Sequence, residues 1–274
     1  MKPLDDKVVL ITGASRGLGA DMARRFARER VRLALAARSG TELEKLRAEL
    51  ESQGAKAVSV PTDVSDLASL RALVKEVESS VGPIDVLVNN AGLEEVCDFE
   101  AMDLEHIEQI LSVNVLGLIW LTRLVAPSMI ERRTGHVCNI ASLAGVTPVP
   151  HNAVYAASKH AVVGFSRSLR IELAEHGVEV TVVCPGFVEG GMFLKWGRAA
   201  PKMTGSVTPA QVSDAVVKAV RANKGEIIVT KGLGKIGDWT FAIAPELSAS
   251  VMRRTGVADY LSEQAKINAG GRQG

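Results

Sequence analysis

Neither sign of charge prevails in this 274-residue chain: 32 Lys and Arg stand against 31 Asp and Glu. A nucleic-acid binder that works by phosphate neutralisation needs a basic excess, so no nucleic-acid partner is expected. Cysteine is scarce. Cys97, Cys138 and Cys184 form no CxxC pair and have no histidine at ligand spacing. That argues against a disulfide framework or a metal site and for reduced thiols. The start, MKPLDDK, carries Asp5 and Asp6 where a signal peptide has its apolar run. No apolar stretch is read as approaching the roughly 18 residues of a membrane span. The chain is therefore expected to be soluble and cytoplasmic. The 25 Gly and 10 Pro follow no period, which excludes collagen-like and linker sequences. With 47% hydrophobic residues the chain also falls outside the disordered class.

What is present is a rhythm. Short apolar runs cover 8–12, 32–36, 57–61, 84–89, 136–141, 179–184 and 226–230. Several are apolar at consecutive positions, as in Val8-Val9-Leu10-Ile11, which suits strands buried on both faces of a parallel sheet. Between them, 3.6-residue periodicity predicts helices over 17–29, 41–53, 66–81, 103–132, 153–176 and 209–223. Asp103 is the expected N-cap of one, and Thr208-Pro209 opens another. Seven strands alternating with six helices predict a doubly wound α/β sheet. No linker or internal repeat divides the chain, so one domain is expected over 1–274. Two regions break the rhythm: an insert at 187–207, and a C-terminal extension at 232–274 whose Gly-rich end is read as frayed.

The first strand runs into Thr12-Gly13-Ala14-Ser15-Arg16-Gly17-Leu18-Gly19, and a helix follows. Glycine permits the tight turn and close backbone approach that a pyrophosphate needs. The helix N-terminus adds free N–H donors and a positive dipole end. The second strand ends in Ala36-Ala37-Arg38-Ser39. An acidic residue there would bind a ribose 2′-hydroxyl, whereas an arginine pairs with a 2′-phosphate. Arg38, with Arg16 in the loop, therefore predicts NADP(H) in preference to NAD(H).

Together with Asn89-Asn90-Ala91-Gly92, Ser142 and Tyr155-x3-Lys159, in this order, the loop resembles the short-chain dehydrogenase/reductase family over roughly residues 5–230. The resemblance implies a Rossmann-type parallel sheet in the order 3-2-1-4-5-6-7. It implies adenine contacts from Asp63 and Val64, a cofactor cleft lined by Asn90, Ala91 and Gly92, and nicotinamide contacts from Pro185, Gly186 and Val188. It also implies a homodimer or homotetramer built through helices at about 103–132 and 153–176. Asn114, Ser142, Tyr155 and Lys159 fall at the positions of its catalytic tetrad, with Asn114 holding a relay water. Where members often carry a Thr to bind the nicotinamide carboxamide, this chain has Gly190. The C-terminal sequence and the Val182–Val188 segment are similar to branches acting on lipid-like ketones and alcohols.

The chemistry is consistent with the residues themselves. A free tyrosine ionises near pH 10. Tyr155 and Lys159 are four apart and share a helix face, so the ammonium, with oxidised nicotinamide beside it, is expected to lower the tyrosine toward neutrality. Ser142 is placed to bond the substrate carbonyl oxygen. The insert supplies Phe187, Met192, Phe193, Leu194, Trp196 and Met203, an apolar lid. Leu143, Val146, Val149, His151 and Asn152 form the opposite wall, and Leu93, Glu94 and Glu95 border the cleft. The expected activity is NADPH-preferring interconversion of a ketone or aldehyde with an alcohol on a hydrophobic substrate. The rival reading is a non-catalytic NADP(H)-binding regulator of the same fold.

Overall fold

The computed structural model describes residues 3–190, 204–231 and 256–271, with isolated positions at 200, 201, 244, 246 and 254. Its centre is a seven-stranded sheet of β1 (Val8–Thr12), β2 (Arg32–Ala37), β3 (Lys56–Pro61), β4 (Val86–Asn89), β5 (Gly135–Ile140), β6 (Val178–Pro185) and β7 (Glu226–Val229). The order is β3-β2-β1-β4-β5-β6-β7 and the pairings are parallel, as expected. The chain runs outward from β1 to β3, then returns to place β4 on the other side of β1. That reversal opens a crevice at the carboxyl ends of β1 and β4.

Strand side chains alternate between two apolar layers. Val9, Ile11, Leu33 and Leu35 join Met22, Phe26, Leu43, Leu50, Val212 and Val216 of α1 (Gly17–Ala27), α2 (Gly40–Ser52) and α7 (Pro209–Ala222). Val8, Leu10, Ala34 and Ala36 face Leu70, Leu73, Val77, Leu121, Val125 and Met129 of α3 (Leu67–Val81) and α5 (Gly117–Glu131). Burial on both faces is why these strands read as unbroken apolar runs. Between the layers, Asn89 Nδ2 donates to Asn139 Oδ1 at 2.9 Å and Thr122 Oγ1 at 3.0 Å, and Asn139 Nδ2 donates to Ser166 Oγ at 2.9 Å. This chain of bonds ties β4 and β5 to α5 and to α6 (Ala153–Ala174).

Four features differ from the sequence reading. The expected helix over 103–132 is three pieces: α4 (Leu104–Leu111), a π-helical turn over Ser112–Leu116, and α5. Asp103 stands at its N-cap position but makes no side-chain cap bond. Thr208, in contrast, forms a reciprocal capping box with Gln211. The run Leu104–Glu131 contains an 18-residue window of mean hydropathy 1.7, enough by length and composition to cross a membrane, and 44% of it is buried inside the fold. The periodic polar residues had hidden that run from a reading by uninterrupted apolar stretches. Finally, the C-terminal extension, for which no element was expected, contains a helix, α8 (Val257–Gly271), that runs into its Gly-rich end. Val257, Tyr260, Leu261 and Ala265 bury against Val96, Val149 and Phe187, and that apolar stripe outweighs the terminal glycines.

Candidate active site

The turn after β1 is shaped by contacts that leave no room for side chains. Gly13 and Gly17 have φ of +64° and +54°, conformations that glycine adopts at no steric cost. A Cβ on Gly19 would lie 2.1 Å from Gly13 O, and one on Gly13 would lie 2.9 Å from Ala91 Cα. Asn90 Nδ2 donates to Thr12 O at 2.9 Å and to Gly13 O at 3.3 Å. Thr12 Oγ1 accepts the N–H groups of Asn90 and Ala91, both at 3.0 Å. The ends of β1 and β4 are thus laced together, with the N-terminus of α1 above them. Ala14, Ser15 and Leu18 are covered to differing degrees, whereas Arg16 and Arg38 are exposed.

Asp63, after β3, accepts Ser65 N–H at 2.9 Å and Ser65 Oγ–H at 2.6 Å. These bonds from Ser65, and then the charge of Arg38, hold its carboxyl below the usual aspartate range despite partial burial. Next to it, a Cβ on Gly117 would lie 2.2 Å from Val64 O. A bare pyrophosphate cradle with two exposed arginines and a carboxylate beyond it fits a nicotinamide dinucleotide.

At the end of β5, Ser142 Oγ accepts Ala144 N–H at 3.1 Å and lies near enough to Tyr155 to favour its ionised form. On α6, Lys159 Nζ stands 5.6 Å from the Tyr155 ring centre and donates to Ile140 O at 3.0 Å. The π-helical turn orients Asn114. Its Oδ1 accepts Leu93 N–H at 2.7 Å, and its Nδ2 donates to Leu93 O at 2.9 Å and Ser158 Oγ at 3.0 Å. A Cβ on Gly92 would sit 3.4 Å from Asn114 Oδ1 and 3.5 Å from Lys159 Nζ. The four tetrad positions therefore converge, all but Ser142 fully buried.

The electrostatics of the protein by itself run opposite to the lowering expected with oxidised nicotinamide alongside. Tyr155 does not lie below the ordinary tyrosine range in the protein by itself. Burial first, and the charge of Glu94 second, push it up, and only the neighbouring Ser142 works the other way. Burial also lowers Lys159 to about 8, opposed by Glu94 and Cys184. Desolvation is the largest influence on each group, because both lose water at once.

The substrate wall is partly described. Phe187 stacks edge-on against Tyr260 of α8, with ring centres 5.9 Å apart. Val149 touches both this cluster and the one around Tyr155. Leu143 and Val146 pack in a third cluster with Val162. His151, at φ +58°, directs Nδ1 to Asp98 Oδ1 at 2.7 Å. Gly186 N–H bonds Val229 O at 2.9 Å, extending the line of Pro185, and Val188 bridges to Val207. Met192, Phe193, Leu194, Trp196 and Met203 lie outside the described residues, as does the carboxamide contact sought near Gly190. Sequence reasoning missed two participants in this region. One is α8, whose 3- and 4-residue spacing of Val257, Tyr260, Leu261 and Ala265 was legible. The other is the bond from Asn152 Nδ2 to Glu94 Oε1 at 2.5 Å, for which the sequence carries no signal.

A parallel sheet with a glycine-rich first turn, and a tyrosine and lysine one helical turn apart near its carboxyl edge, is the build of an NAD(P)-dependent oxidoreductase. Residues 7–200 match the short chain dehydrogenase family, and the chain belongs to the short-chain dehydrogenase/reductase family. It is 40% identical over 272 residues to the ketoacyl reductase HetN of Nostoc sp., covering 97% of this chain and 95% of the relative. Among solved structures, an actinorhodin polyketide ketoreductase with NADPH aligns at TM-score 0.77 and 33% identity, covering 85% of this chain and 98% of the other. A Burkholderia phymatum short chain dehydrogenase/reductase in complex with NAD aligns at 0.76 and 27%, covering 83% and 90%.

Proposed function

We propose that the protein is an NADPH-preferring reductase of ketones or aldehydes, acting reversibly on a hydrophobic substrate. The observation that carries this reading is the buried Tyr155–Lys159 pair, with Ser142 at its edge, beside the glycine cradle. The nicotinamide, when bound, supplies the hydride. Tyr155 gives its hydroxyl proton to the substrate oxygen, as a positioned general acid. Ser142, close to Tyr155 at the end of β5, shares that oxygen and steadies its developing charge. Lys159, fixed by Ile140 O, places an ammonium beside the phenol and would hold the ribose hydroxyls of a bound cofactor. Asn114 sits one turn of hydrogen bonds away, through Leu93 and Ser158, where a relay water would reach Lys159.

Exposed Arg16 and Arg38 favour the 2′-phosphate of NADPH. The related ketoreductase with NADPH points the same way, whereas the Burkholderia relative holds NAD. The apolar cluster of Val96, Val149, Phe187 and Tyr260 favours a hydrophobic substrate. A single cytoplasmic domain assembled as a dimer or tetramer completes the reading. Exposed Leu111, Leu116 and Ile171 on the helices expected to pair are consistent with that assembly.

The test is fluorescence titration with NADPH and NADH, followed by turnover of a panel of bulky ketones by the wild type and Tyr155→Phe. Tyr155→Phe is expected to lose about 10²–10⁴-fold in kcat/KM with NADPH binding retained. Retention of most of the rate sinks the mechanism. Tight binding without turnover by the wild type would favour the non-catalytic regulator.

A further inference from the structure

The segment after β4 places a carboxylate where the reaction scheme assigns none. Gly92 lies against Lys159 Nζ. Leu93 is gripped at both its N–H and its carbonyl by Asn114. Farther on, Val96 O accepts Asn268 Nδ2 at 2.7 Å, and Cys97 N–H donates to His151 O at 3.0 Å. The backbone is pinned on both sides of Glu94. The side chain in between is held by Asn152, a 2%-exposed residue three positions before Tyr155. One bond network thus joins Glu94 to the first turn of the helix that carries both Tyr155 and Lys159.

We propose that Glu94 is a positioning residue for the Tyr155–Lys159 pair: held by Asn152 at the start of α6, in the loop that lays Gly92 against Lys159 Nζ, it fixes a carboxyl group next to the two groups that handle the proton. The proposal rests on the assignment of Tyr155 as the acid. A negative charge near a phenol opposes loss of its proton, and near an ammonium it favours the charged form. Both effects of Glu94 operate here. Burial pushes the Glu94 carboxyl up, while the Asn152 bond and the charge of Lys159 favour its ionised form.

Cys184, at the end of β6, is the other titratable group acting on the pair. Neighbouring acids are engaged elsewhere: Glu95 with His106 Nδ1 at 2.8 Å, and Asp98 with His151. Glu94 does not alter the overall equilibrium. It sets the pH range over which the proton-donating form is available.

The sequence holds two tyrosines, Tyr155 and Tyr260, so Tyr260→Phe leaves one. In that background, with NADP+ bound so that its positive nicotinamide favours the tyrosinate, tyrosinate absorbance is titrated with and without Glu94→Gln, and the alkaline limb of carbonyl reduction is followed in parallel. Glu94→Gln is expected to bring the tyrosinate signal about one pH unit lower. It should move the alkaline limb of kcat the same way, leave the KM for NADPH unchanged, and be partly rescued by Glu94→Asp. Superimposable curves would overturn the proposal. A shifted tyrosinate curve in a protein that turns over no carbonyl would support the coupling and overturn the reductase reading instead.

Discussion

Arg38 stands at the end of β2, exposed, with its charge felt by Asp63 across the loop after β3. If it binds the 2′-phosphate, Arg38→Asp removes a charge-assisted contact and puts a like charge in its place. The ratio of NADPH to NADH preference in kcat/KM is expected to fall by at least about tenfold, most of it in the KM for NADPH. An unchanged ratio would show that Arg38 does not read the phosphate. The residues that made this site legible share a property. Gly13, Gly17, Gly19, Asn90, Tyr155 and Lys159 are each constrained by chemistry that few other residue types satisfy, so their order along the chain is informative. Glu94 was legible only as a cleft neighbour. A carboxylate in a loop is usually solvated, and nothing in the sequence places Asn152, 58 positions later, against it. The direction of the Tyr155 shift was hidden for a related reason: spacing on a helix shows which groups meet, but not how much water they lose.

At the scale of elements, strands were the easiest to read. Both faces of the sheet are covered, so the apolar runs mark the strands to within about two residues, as at β4, where the expected start at Ile84 becomes Val86. The π-helical turn at Ser112–Leu116 escaped because its one-residue widening leaves the apolar periodicity on either side nearly intact. Its position has consequences. It turns Asn114 toward Leu93, and the next helix begins at Gly117, whose missing side chain lets α5 approach Val64 O. A methyl group there would meet a backbone carbonyl, which cannot rotate away. Gly117→Ala is therefore expected to destabilise the fold by about 1–3 kcal/mol, read as a lower urea midpoint at constant m-value. It should also weaken cofactor binding, because Val64 is displaced. An unaltered midpoint would mean that α5 shifts without cost. Gly164, near which a Cβ meets nothing, serves as the control position: Gly164→Ala in the middle of α6 is expected to be neutral or stabilising.

For the whole molecule, the organisation is a rigid sheet with a cofactor edge and a wall contributed by the far end of the chain. The helix α8 reaches back to the loop after β4. Asn268 Nδ2 caps Val96 O, and Tyr260 and Leu261 fill the space between Val96, Val149 and Phe187. Few of these contacts reach the sheet, so α8 is a candidate for opening separately from the core. Tyr260→Ala removes the ring against Phe187 and leaves a cavity between α8 and the loop. Truncations of buried aromatics cost about 3–5 kcal/mol when the site cannot collapse. Here the loss is expected to fall on the docking of α8. Amide hydrogen exchange over 257–271 should accelerate by more than tenfold while exchange in β1, β4 and β5 stays unchanged. Because Phe187 and Val149 then lose a neighbour, the KM for an apolar ketone should rise while the affinity for NADPH holds. Uniform acceleration across the sheet would instead make α8 part of one cooperative unit with the core, and its role as a separately opening wall would fail.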